Sequence, residues 1–367
     1  MEANVTNRAL DHGDGEIWHL SSCPTRHDVI ATSYSSIVGE DQSELTYGAA
    51  LWQLPTSVIG DGADEEVDDE GNFVPRVGAS QAPSIFTRLL DISESGNEGE
   101  DDDVSTEVSS VLWNPVDSKQ IATLAEHSLC VWDLNAGKRT TNYTPFGAEE
   151  VRSSKQKPLT AGKWVGSHGH SSGMEVAVVA GRSIMGFDLR SSQTTFHIPH
   201  AHDMRARDVD FNPNLPNYFI SGGDDGALKF WDSRNTTQAV RTMRCHSHWI
   251  WAVRYNHFHD QLVLTSGSDC AVVLSSVASL SSEMTDRLTT HESMDSVDST
   301  HDQIDLRPEP PSDKIVDGVV RKFDEHEDSV YAVDWSAADP WLFASLSLDG
   351  RVVVNHVPRD TKYGILL

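Results

Sequence analysis

Six times along this chain of 367 residues, a short apolar strand is followed by a strand of small residues and then by a third apolar strand. The first strands are EIWHLSSCP (16–24), VSSVLWNP (108–115), LTAGKWVG (159–166), RDVDFNPN (207–214), WAVRYNHF (251–258) and YAVDWSAA (331–338). The second are VIATSYS, IATLAE, VAVVAGRS, FISGGDDG, VLTSGSDC and FASLSLDG. The third are AALWQL, LCVWDL, MGFDLR, LKFWDSR, VVLSSV and VVVNHV. Turn residues separate them, and the unit recurs at roughly 45 residues, the length of a four-stranded propeller blade. One such unit cannot bury its own apolar faces, so units must stack. The expected fold is therefore all-β, a propeller with six recognisable blades.

The most regular unit runs from His202 to Arg234, with Phe211 nine residues after the histidine, then Ser221, Asp225-Gly226 and Trp231-Asp232. This pattern resembles the WD repeat. The resemblance implies a buried hydrogen-bonded chain of histidine, serine, turn aspartate and strand tryptophan that pins the blade. Such a chain stabilises only when every member is satisfied. The same histidine offset places His246 before Tyr255 and His326 before Trp335, and Asp269 and Asp349 are the matching turn aspartates. Ser275 and Asn355 stand where the tryptophan should be.

Two intervals between equivalent strands, those after Ser22 and after Tyr255, are too long. Both excesses fall after the third strand, in acidic segments rich in Ser, the first of them also in Gly. These read as disordered inserts at 60–107, fraying into strand around 84–92, and at 280–315, because such composition cannot offset ordering entropy by burial. Both inserts should leave from third-to-fourth strand connections, at one end of their blades. The loops leading into the inner strands, at the other end, should then be uncovered. The propeller itself should span 13–367.

The chain carries 56 Asp and Glu against 28 Lys and Arg, a net charge of −28. That excludes a phosphate-neutralising surface for nucleic acid and unaided adhesion to anionic lipid. No apolar run reaches the length of a bilayer span, so direct membrane insertion is not expected. The opening MEANVTNRAL lacks an apolar signal core, and a cytoplasmic location follows. Cys23, Cys130, Cys245 and Cys270 are scattered as reduced thiols rather than at metal-ligand spacing. Histidine pairs at 168/170, 246/248 and 257/259 find no third ligand at zinc-finger spacing. With no phosphate loop and no nucleophile elbow, neither enzyme activity nor a cofactor is expected.

One register carries interaction chemistry. Aligning the inner strands puts Trp18, Arg207, Trp251 and Tyr331 at one position, with Arg205 and Trp249 two residues earlier. Aromatic residues and arginine dominate protein interfaces, and these six form a candidate protein-interaction face. Filling gaps between blades is the competing role for Trp251 and Tyr331.

Several stretches are more specific than a generic repeat: GEIWHLSSCP (15–24), CHSHWIWAVRYNHFHDQLVLTSGSD (245–269) and 326–367. With RDVDFNPN and KFWDSRN they closely resemble the EARP- and GARP-complex-interacting WD-repeat family, along nearly the whole chain outside the acidic inserts. The resemblance implies a scaffold that binds shared subunits of the endosome-associated and Golgi-associated retrograde tethering complexes. It also implies a role in endosomal recycling and endosome-to-Golgi traffic, a place at the trans-Golgi network and recycling endosomes through those partners, and contact with a Rab-family GTPase. Members of that family begin with about one further blade, so a seven-blade design is implied, with 1–12 as the outer strand of the missing blade. Two other readings stay open. ISGGDDGALKFWDSR (220–234) is similar to the WD-x-R box of cullin-ligase substrate receptors, in which Asp232 and Arg234 would touch the ligase adaptor. Arg205 and Arg207 also permit phosphopeptide or histone-tail reading.

Overall fold

The computed structural model describes residues 12, 15–38, 44–55, 87–92, 107–144, 158–165, 173–282 and 317–366. The chain divides into two compact units, 1–159 and 160–367. The first holds two antiparallel four-stranded sheets. One is β1 (Glu16–Ser22), β2 (Val29–Val38), β3 (Glu44–Gln53) and β4 (Thr87–Asp91); the next is β5 (Val108–Trp113), β6 (Gln120–Ala125), β7 (Ser128–Asp133) and β8 (Lys138–Tyr143). β9 (Leu159–Trp164) begins at the boundary and leads the third sheet, with β10 (Glu175–Ala180), β11 (Ser183–Asp188) and β12 (Gln193–Ile198). The fourth sheet is β13 (Ala206–Phe211), β14 (Tyr218–Gly223), β15 (Ala227–Asp232) and β16 (Arg241–Arg244). The fifth is β17 (Ile250–Tyr255), β18 (Leu262–Gly267), β19 (Val272–Ser276) and β20 (Gly318–Phe323). The sixth has three strands, β21 (Val330–Trp335), β22 (Leu342–Ser347) and β23 (Val352–His356), followed by helix α1 (Arg359–Leu366). Each sheet is one propeller blade.

Burial explains the composition of each strand. The second strands β6, β10, β14 and β18 are covered on both faces and are almost wholly apolar or small. The fourth strands face solvent, and β8 reads KRTTNY. Between the fourth and fifth blades the apolar contact is made by Ile220, Leu228 and Phe230, on β14 and β15, against Ile250, Val253 and Tyr255 on β17. Each large side chain removed from water there contributes about 1.5–3 kcal/mol. After the inner strands the chain turns through an Asx cap. The side-chain oxygen of Asn114 accepts from the N–H groups of Val116 and Asp117, that of Asn212 from Asn214 and Leu215, and that of Asn256 from Phe258 and His259.

The connections depart from the sequence expectation in one respect. Residues 54–86 and 277–317 do lie between third and fourth strands. However, β4 falls inside the 60–107 tract, because TRLLD pairs with β3 as a fourth strand. The part of the tract that follows β4 is therefore chain leading into inner strand β5 rather than a third-to-fourth strand connection. Both ends of the second insert are anchored. Ser282 bonds to Asp260 through its N–H at 2.8 Å and its hydroxyl at 3.1 Å. Asp317 accepts from Arg241 at 2.6 Å, from the Ser279 N–H at 3.0 Å, and from the Ser279 hydroxyl. Residues 1–11, which hold most of the proposed outer strand at 1–12, lie outside the described residues. His12 packs on Trp52 and bonds to Thr32 at 2.9 Å, so it serves the first blade.

Candidate protein-interaction surface

Buried polar chains fix the end of each blade that the candidate face occupies. In the fourth blade His202 bridges Asp225 at 2.9 Å and Ser221 at 2.7 Å, and the Trp231 indole donates to Ser221 at 2.9 Å. Burial works to raise the Asp225 carboxyl, but His202 and the N–H groups of Asp203 and Ala227 outweigh it and hold the carboxyl well below its ordinary range. The fifth blade repeats this with Asp269, His246 and Thr265, at 2.7 and 2.8 Å, and Asp269 is lowered for the same reasons, with Lys322 adding to them. There the Ser275 hydroxyl has no partner. In the sixth blade His326 reaches Ser345 at 2.8 Å, but its Nδ1 lies 3.5 Å from Asp349 and the Asn355 amide nitrogen is unpaired.

A glycine accounts for the difference in grip. A Cβ at Gly223 would sit 2.8 Å from the His202 ring, and one at Gly267 only 2.6 Å from His246 Nδ1. Ser347 occupies that position in the sixth blade and leaves less room for His326. Sequence reasoning missed two further chains, because threonine replaces serine in both. These are His12–Thr32–Trp52 in the first blade and Thr123–Trp132, at 3.0 Å, in the second.

Four of the six candidate interface residues share one backbone event. The inner strands carry a register shift at Trp18, Ser109, Arg207, Trp251 and Tyr331. A bulge leaves one residue unpaired and re-aims its side chain. In three blades that side chain is gripped by the residue 17 positions on, which lies within the second strand in the first blade and in the turn just after it in the fourth and fifth. Trp18 donates to Ser35 at 2.9 Å, Arg207 to Asp224 at 2.5 and 3.2 Å, and Trp251 to Ser268 at 2.6 Å. The same turns hold the residues two earlier, since Asp224 N–H donates to Arg205 C=O at 2.8 Å and Ser268 N–H to Trp249 C=O at 2.9 Å. In the sixth blade the position is Leu348, which cannot hydrogen-bond through its side chain, and Tyr331 is 41% exposed.

The structure brings Arg205, Arg207, Trp249 and Trp251 together across the fourth and fifth blades. The Arg207 guanidinium lies 4.2 Å from the Trp251 ring centre and 5.1 Å from Trp249, and the two indoles meet edge to face at 6.2 Å. Arg207 and Trp251 are half-buried, while Arg205 and Trp249 face solvent. Burial and the neighbouring Arg207 charge disfavour the charged form of Arg205, with Asp224 opposing them. Trp18 belongs to the first unit and Tyr331 to the sixth blade.

Below this surface, inner-strand side chains cap the next inner strand. Asp208 and Asp210 accept from the N–H groups of Val253 at 3.0 Å and Tyr255 at 2.8 Å. His19 and Ser21 do the same for Val111 and Trp113, both at 3.4 Å. Arg254 pairs with Asp208, and although burial opposes its charge, Asp208, Asp334 and Asp210 together keep it protonated. Lys163 lies 3.2 Å from Asp210.

Other sequence candidates fare differently. The Arg234 fork is spent on its own Asp232, at 2.9 and 2.7 Å. Among the described residues no three His, Cys, Asp or Glu side chains converge as a metal site. His168 and His170 lie outside the described residues. No helix among them is long and apolar enough to cross a membrane.

Comparison with known proteins gives the context. Residues 8–275 match the EIPR1 beta-propeller family, and residues 318–354 match the WD domain, G-beta repeat. The chain is 39% identical over 368 residues to "EARP and GARP complex-interacting protein 1" of Rattus norvegicus, covering 100% of this chain and 87% of the relative. It is 40% identical over 369 residues to the protein of that name in Homo sapiens, with the same coverage. A "WD repeat-containing protein DWA2" of Arabidopsis thaliana is 30% identical over 343 residues, 93% of this chain and 79% of the relative.

Proposed function

The chain belongs to the EIPR1 beta-propeller family, and from that premise we propose that it is a non-catalytic scaffold that binds the EARP and GARP tethering complexes. The observation carrying this reading is about 40% identity along the whole chain to relatives named for interacting with those complexes. In this role the protein assists endosomal recycling and endosome-to-Golgi retrograde traffic, and it reaches those membranes through its partners. A propeller alone says only that something is bound. The rigid Arg205–Arg207–Trp249–Trp251 surface is the docking face this reading assigns, because pre-organised aromatic and arginine side chains lose little freedom on binding.

Affinity purification of the tagged full chain, followed by mass spectrometry, tests the proposal. Recovery of subunits shared by the two complexes is the expected outcome, with depletion by at least tenfold in a Trp249→Ala, Arg205→Ala double variant. Absence of every tethering subunit from the wild-type eluate would refute it. A Rab-family GTPase among the recovered proteins would add a further partner.

A further inference from the structure

The fourth and fifth blades carry six arginines between 205 and 254, and five of them are committed within the chain. Arg207 donates to Asp224, Arg234 to Asp232, Arg241 to Asp317, Arg244 to the Asp225 carbonyl and Arg254 to Asp208. Arg205 alone has no such acceptor among the described residues, and it is exposed. Its nearest charges are Arg207 and Asp224. Asp224 already gives both carboxylate oxygens to Arg207, through Nε and Nη2. The surface thus holds two cations against one anion, with the second cation unanswered.

The apolar part lies alongside. Trp249 is 37% exposed, and Met204, next in the chain to Arg205, is 51% exposed. Arg207 is sandwiched between Asp224 and the two indoles, so its planar group is a fixed floor rather than a mobile donor. Backbone bonds from Asp224 to Arg205 and from Ser268 to Trp249 hold both exposed residues in place.

We propose that this surface receives an acidic linear segment of a partner protein, an Asp or Glu carboxylate on the Arg205 fork with an adjoining apolar side chain against Trp249. The geometry favours carboxylate over phosphate, because phosphate recognition draws on clustered free guanidinium groups, and here only one fork is free. A single planar fork matches a single carboxylate. The chain's charge does not prevent the approach. Between 173 and 282 there are nine basic and ten acidic residues, so nearly all of the net −28 lies elsewhere. This inference rests on the docking face assigned above and names the chemistry of its occupant.

The test selects twelve-residue peptides from a random displayed library on the full chain, on Arg205→Glu and on Arg205→Lys. Circular dichroism and thermal melts confirm that each variant is folded. Wild-type selections should be enriched in Asp or Glu beside an aliphatic or aromatic residue, and should weaken as salt is raised. Binding of the strongest acidic peptide should fall at least tenfold in Arg205→Glu and several-fold in Arg205→Lys, which keeps the charge but loses the fork. Its Asn/Gln analogue should bind as weakly as the charge-reversed variant allows. A phosphoserine analogue that outbinds the carboxylate peptide tenfold would overturn the choice of carboxylate. Selections without acidic enrichment, while Arg205→Glu still abolishes tether recovery, would overturn the inference and leave the docking face standing. If Arg205→Glu changes neither peptide nor tether binding, the face itself is wrong.

Discussion

The fourth and sixth blades repeat the same three strands in the same register, yet they hold their side chains differently. Leu228 and Phe230 on β15 are fully buried against the fifth blade, whereas Val352 and Val354, at the same register on β23, are 64% and 37% exposed. The fourth blade closes a complete chain of Asp225, His202, Ser221 and Trp231. The sixth keeps the His326–Ser345 bond, loosens the aspartate and replaces the indole with an unpaired amide. A blade is thus a shared backbone pattern whose rigidity is set by what covers its faces and by how many members of the polar chain are present. The candidate surface sits on the fourth blade, whose polar chain is complete, and on the fifth, which keeps Asp269, His246 and Thr265 but not the indole.

The comparison breaks most visibly at the apolar face. Phe230→Ala should destabilise the protein by about 3–5 kcal/mol, the cost of a large cavity in a packed interior. Val354→Ala should cost less than about 1 kcal/mol, as a partly exposed position does. Urea unfolding followed by tryptophan fluorescence measures both, and equal losses would remove the distinction between the blades.

The polar chain comes next in size. His202→Ala strands a buried carboxylate and a buried hydroxyl, and a loss of about 2–4 kcal/mol is expected. His326→Ala should lose less than half as much. Equivalent midpoint shifts in the two variants would show that the sixth blade's looser bonds are energetically complete.

Acid should act on the turn aspartates of the fourth and fifth blades. The Asp225 and Asp269 carboxyls are held below their unfolded value of about 4. Their contribution is therefore fully present above about pH 4 and is lost as pH falls through the depressed folded values. Asp225→Asn and Asp269→Asn variants should be less stable at neutral pH and show a flatter decline below pH 4. A decline as steep as that of the wild type would place the acid sensitivity elsewhere. The smallest effect concerns Ser347→Gly, which opens the space that Gly223 gives His202. The His326 ring nitrogen shifts in an NMR spectrum should then move towards those of His202, with stability changed by less than about 1 kcal/mol.

Much of this architecture can be read from the chain because its determinants are local. Alternation marks the strands, Asp225-Gly226 and Asp349-Gly350 mark turns at positive φ, and the nine-residue offset locates three histidines. The first blade hid its polar chain because His12 stands ten residues before Ser22, and because Thr32 does the work of a serine. Cys270 likewise adopts the left-handed turn conformation (φ 60°) without glycine to announce it. The bonds from Asp208 and Asp210 to Val253 and Tyr255 join residues 45 apart, where no periodicity within a strand could reveal them. The alignment of Trp18, Arg207, Trp251 and Tyr331 is visible in sequence, but its physical origin is the bulge, and the gripping residue 17 positions on becomes evident only in three dimensions.

The paired anchors of the second insert, Ser282 on Asp260 and Asp317 on Arg241 and Ser279, make that connection a built-in socket. Blade five is already closed at its neck, so whatever chain joins residues 282 and 317 adds loop-closure entropy that grows only logarithmically, about 0.6 kcal/mol for each doubling of length. A fluorescent protein or a biosensor domain could be spliced between those two points with little effect on the fold, and lineages could lengthen, shorten or rewrite the segment just as freely.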